Sequence, residues 1–82
     1  MIRDEEQEVL RALQEWAFSH PQKDRPFLIF MGRSFTPVEY YYEVVENEEF
    51  RAALFQFLEE QAERSKERPI DMIVRAIEAN RL

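Results

Sequence analysis

The chain has no cysteine. That absence removes disulfide staples, thiolate catalysis and Cys-based zinc sites together, and it fits a reducing compartment. Glycine is almost missing too. Gly32 stands alone beside four prolines, so no flexible linker, low-complexity tract or internal repeat interrupts the 82 residues. No apolar run approaches the roughly 18–20 residues of a membrane span. Positive charge is scarce: 11 Lys and Arg stand against 17 Asp and Glu, a formal net charge of -6. Phosphate backbones and anionic lipid surfaces attract Lys and Arg, so this balance argues against both nucleic acid and membrane as partners. The opening Met1-Ile2-Arg3-Asp4-Glu5-Glu6 is acidic, the opposite of a signal peptide, and a cytoplasmic location is expected.

What the chain does have is aromatic rings: seven Phe, three Tyr and one Trp. A domain this short buries only about 60–65% of its unfolded surface. Large rings, each covering on the order of 150–250 Å², offset that handicap. One small globular domain spanning residues 1–82 is expected.

The chain is organised around Met31-Gly32-Arg33-Ser34-Phe35-Thr36-Pro37-Val38-Glu39. The apolar run Phe27–Met31 reads as a short buried strand. Gly32 supplies a tight reversal, because it reaches positive φ without a Cβ clash. Ser34-Phe35 returns as a second strand. Thr36 is placed to cap a helix, Pro37 suits the first helical position, and Glu39 completes a capping box. A lone hairpin is marginal in water, so it must lie on helices or find a third strand.

Four helices surround it. The first runs from Asp4 to Ser19, with Asp4 as N-cap and Val9, Leu10, Leu13, Trp16 and Ala17 on one face. Trp16 is expected in the core, and Phe18 under the following loop. His20-Pro21 ends the helix, and Gln22–Pro26 is a loop. The second helix, Pro37 to about Glu46, is read with Val38, Tyr41, Tyr42 and Val45 inward. Tyr40 and Val44 form a smaller outer stripe beside Glu43, with Tyr40 exposed. Asn47 caps the third helix, Glu48 to about Ser65. Its face Phe50, Leu54, Phe57, Leu58 and Gln61 is widened by Phe55 and Ala62, as for a helix with more than one neighbour. The fourth, Pro69 to about Asn80, presents Ile70, Ile73, Val74 and Ile77 to the core, and Met72, Ala76 and Ala79 away from it. The fold class is therefore α+β and mainly helical, with a hairpin between the first two helices.

No cofactor motif, metal-ligand set or nucleophile emerges, and no cofactor is expected. Gly32-Arg33 lacks the glycines and the Lys-Ser/Thr ending of a phosphate loop. His20 would need a nucleophile and an orienting acid to act as a base, and near a helix C-terminus its ordinary role is electrostatic. Glu59, Glu60 and Glu63 read as a solvated face. A helix-turn-helix DNA reader would need a basic recognition helix, and the third helix is acidic. The expected function is a non-enzymatic protein–protein interaction module, an adaptor or regulatory subunit. Its partner-binding residues are expected to be Tyr40, Val44, Glu43, Met72 and Ala76. The partner is another protein, with a basic one favoured by charge. A weak homodimer through the open hairpin edge and the fourth helix fits the same stripes. The alternative is an acidic inhibitor or nucleic-acid mimic. In it Glu39, Glu43, Glu46, Glu48 and Glu49, joined by Glu59, Glu60 and Glu63, form one field for a basic cleft.

Overall fold

A computed structural model of the chain describes residues 4–30, 32–64 and 66–81. The elements run α1 (Asp4–Ser19), β1 (Leu28–Phe30), β2 (Arg33–Phe35), α2 (Pro37–Glu46), α3 (Glu48–Ala62) and α4 (Pro69–Ala79). Four helices and an antiparallel hairpin between the first two make the α+β, mainly helical fold that the patterns predict. Met31 and Ser65, at the expected ends of the first strand and third helix, lie outside the described residues. So does the Asp4 side chain, to which the first N-cap was assigned.

Local chemistry sets the start of α2. The Thr36 N–H donates to Glu39 Oε1 at 2.9 Å, and the Glu39 N–H donates to Thr36 Oγ1 at 3.0 Å. Pro37 occupies the first turn, where its missing donor costs nothing. Thr36→Ala breaks one arm of this box, and denaturant melts should record a loss of about 0.5–2 kcal/mol. A loss below a few tenths would mean that the helix start does not depend on the box. Asn47 serves both neighbouring helices. Its backbone N–H donates to the Glu43 carbonyl at the end of α2, and its side chain accepts from the Phe50 N–H at the start of α3.

The hairpin pairs Leu28 with Phe35, Ile29 with Ser34 and Phe30 with Arg33. Gly32 turns at φ +77°, and a Cβ placed there would meet no atom within 4 Å. The constraint is therefore one of backbone conformation, not of space. Gly32→Val should cost about 1–3 kcal/mol, and Gly32→Asn clearly less, because Asn tolerates the left-handed region. Equal melting of the two variants would contradict a positive-φ requirement.

The outer edge of β1 is not open. The Ile29 N–H donates to the Asn80 carbonyl at 2.8 Å, and Arg81 forms an antiparallel bridge with Leu28. The Arg81 guanidinium lies 5.1 Å from the centre of the Phe27 ring. Residues just past α4 thus give the hairpin some of the extra pairing it needs, along the outer edge of β1.

The core takes Leu13 from α1, Leu28 and Phe35 from the hairpin, Val44 from α2, Leu54 and Leu58 from α3, and Ile73 and Ile77 from α4. Trp16 is half-buried, edge-on to Phe27 at 6.4 Å.

Two helices are rotated from their expected facing. In α2 the buried residues are Pro37, Tyr40 and Val44, while Tyr42 is 46% exposed. Tyr40, expected on the surface, is 6% exposed and packs edge-on to Phe35 and Phe50. Both stripes of α2 are apolar, and α2 has neighbours on two sides. Tyr40 takes the side shared with β2 and α3, and Tyr41 turns toward the end of α1. Phe18 sits against Tyr41 and Tyr42 rather than under the loop, with ring centres 5.9 and 6.0 Å away. In α4, Met72 is 2% exposed beside Ile73 and Ile77, and Ile70 and Val74 are only half-buried. The helix packs on both α1 and α3, so its buried arc extends past one stripe to include Met72.

Candidate functional site

The five expected partner-binding residues do not form a surface. Tyr40, Val44 and Met72 lie in the core. Glu43 is half-buried; its Oε1 accepts from Asn47 Nδ2 at 3.0 Å and lies 3.7 Å from Arg33 Nη1. It ties α2 to the hairpin and to the α2–α3 junction. Ala76 is half-buried, and only Ala79 of that trio on α4 is exposed.

Tyr40 and Ala76 do meet at one place. Both line a cavity of about 370 Å³ walled by Phe30, Phe50 and Phe57, with Asn47 and Asn80 at its margin. Both asparagines there are engaged: Asn80 Nδ2 donates to the Ala76 carbonyl at 2.8 Å, and Asn47 caps α3. Burial pushes the Tyr40 phenol up to about 12, because the phenolate would lose its water.

His20 packs among rings at the end of α1. Its Nδ1 accepts from the Gln22 N–H at 3.0 Å, and its ring lies edge-on to Trp16 and Phe27 at 5.2 and 4.6 Å. Among the described residues, no group of three or more His, Asp and Glu side chains is placed to hold a metal ion. Among the same residues, no helix is long and apolar enough to cross a membrane.

The acidic field is partly committed. Glu39 is used in the α2 capping box and Glu43 in its contacts with Asn47 and Arg33. Glu46, Glu48, Glu49, Glu59, Glu60 and Glu63 are exposed.

The larger concavity lies elsewhere. A cleft of about 620 Å³ opens between the N-terminal half of α1 and the C-terminal half of α3, and the start of α4 closes one end. Val9, Ala12, Phe55, Leu58 and Ile70 give it apolar walls, and Glu5, Glu8 and Glu59 stand along it. Arg68 is the cation at its closed end, and its Nε donates to Asp71 Oδ2 at 3.0 Å. That bond and the Asp71 charge raise the Arg68 pKa further. The sequence carried one trace of this cleft: Phe55 and Ala62 widen the apolar arc of α3 beyond what the chain itself covers. A smaller apolar surface is formed by Phe18, 40% exposed, with Tyr41 and Tyr42. Apolar stripes at helical spacing read as core, so neither surface follows from periodicity alone.

No protein-family model, curated protein or solved structure matches the chain.

Proposed function

We infer that the chain is a non-enzymatic protein–protein interaction module, an adaptor or regulatory subunit. One observation carries this reading: the apolar cleft between α1 and α3, about 620 Å³ in a chain of 82 residues. Contiguous apolar surface rimmed by polar groups is costly to leave in water, and interaction sites are where proteins retain it. Half-buried Val9, Phe55 and Ile70, packed against the core on one side, supply the apolar area on the other.

The test uses Ala62→Arg. Ala62 is exposed and lines the cleft, and a cation in the last turn of α3 suits the helix dipole, so the fold should keep its melting temperature. Immobilised wild-type chain should retain a protein that the variant loses, and purified samples should reproduce the difference in a direct titration. The same proteins retained by both would overturn the cleft as the interface. Retention that collapses steeply with salt and ignores Ala62→Arg would favour the acidic-mimic reading instead.

A further inference from the structure

The cleft has a shape and a charge pattern that select among partners. Its long walls are about two turns of α1 and about two turns of α3, roughly 11 Å of helix each. Backbone N–H and C=O groups inside helices are bonded internally, so these walls offer no ladder to an extended peptide. They offer side chains alone: Val9 and Ala12 on one wall, Phe55 and Leu58 on the other, Ile70 at the closed end. That suits a cylinder with apolar knobs spaced i, i+3, i+4 and i+7. Charge narrows the choice. Glu5 and Glu8 stand exposed on the α1 wall, so an occupant meets carboxylates along that flank. Arg68 does not balance them, being held by Asp71 at the closed end. A second copy of this chain, at a formal net charge of -6, would bring more negative charge to a negative rim.

We propose that the cleft between α1 and α3 receives an amphipathic helix of a partner protein, about two turns long at the contact, apolar on one face and flanked by Lys and Arg. The proposal rests on the interaction-module reading and adds the chemistry of the partner. Apolar anchors supply most of the affinity. Exposed rim carboxylates contribute little individually, and together they select the sign of the partner and speed its arrival.

Three synthetic peptides test it, each titrated by fluorescence anisotropy at 150 mM salt. The first has Leu at i, i+3, i+4 and i+7 with Lys elsewhere. The second keeps the Leu spacing and replaces Lys by Glu. The third has the composition of the first with the spacing scrambled. The Leu/Lys peptide should bind at least tenfold more tightly than either of the others. Ala62→Arg should weaken it at least tenfold. Glu5→Lys with Glu8→Lys should weaken it as well, and should improve the Leu/Glu peptide, a rescue that mere unfolding cannot give. Equal binding of the scrambled peptide would reduce the effect to bulk charge and overturn the proposal. So would an affinity unmoved by Ala62→Arg in a variant that melts like the wild type. If the Leu/Lys peptide fails while Ala62→Arg still strips natural partners, the partner class is wrong and the interaction reading stands. If Ala62→Arg changes neither, both fall.

Discussion

Tyr40→Ala should remove about 3–5 kcal/mol of stability, the range for truncating a buried aromatic side chain. A domain of this size has on the order of 4–12 kcal/mol in total. Tyr40 is 6% exposed and stands edge-on to Phe35 at 6.3 Å and to Phe50 at 5.6 Å. Its loss therefore loosens the joint between hairpin, α2 and α3. Urea melts measure this directly, and a loss under about 1 kcal/mol would contradict the burial. The phenol adds a pH signature. Burial raises its pKa from 10.0 to about 12, so the folded state holds the proton more tightly than the unfolded chain does. The stability linked to this group is complete below pH 10 and is lost as pH rises toward 12. Two pKa units correspond to about 3 kcal/mol. Tyr40→Phe keeps the ring and has no proton to lose. The difference between wild type and Tyr40→Phe should therefore move toward the variant by up to about that amount between pH 9 and pH 12. Other titrating groups are shared by both proteins and cancel. Parallel curves across this window would refute the assignment.

Met72→Ala is the second large effect, about 2–5 kcal/mol of destabilisation. Met72 is 2% exposed beside Ile73 and Ile77, and its removal opens a cavity that the helix cannot collapse into without moving its neighbours. Ala79, on the exposed side of the same helix, is the control: Ala79→Ser should stay within about 0.5 kcal/mol. Similar small changes in both variants would restore Met72 to the surface.

Much of the fold was legible because its signals are local. The Thr36 box, the positive φ of Gly32, the capping of α3 by Asn47 and the extent of α1 each depend on residues within one turn. Facing was legible only where one side of a helix is polar. From Pro37 to Val45 α2 is apolar apart from Glu39 and Glu43, so periodicity offers two stripes, and contacts with Phe35 and Phe50 turn Tyr40 inward. On α4 the same ambiguity moved Met72 to the wrong side. The bridge between Leu28 and Arg81 is a single residue pair, too short to leave any alternation in the sequence. The cleft is harder still to read, since its walls come from two helices far apart in sequence, and no pattern within α1 or α3 records what stays uncovered.

That bridge orders events in time. Leu28 is flanked by Phe35 on one side and by Arg81 on the other, and these partners reach it at very different moments of synthesis. The hairpin turn can close as soon as Phe35 has emerged. Its outer edge stays bare until all of α4 has followed, because the closing strand is the stretch just beyond that helix. Until then the Ile29 N–H, which donates to the Asn80 carbonyl in the finished fold, has no such acceptor, and bare edges of this kind pair with other chains. Quick closure of the turn therefore leaves the β1 edge bare, and the residues just past α4 act as the latch that covers it.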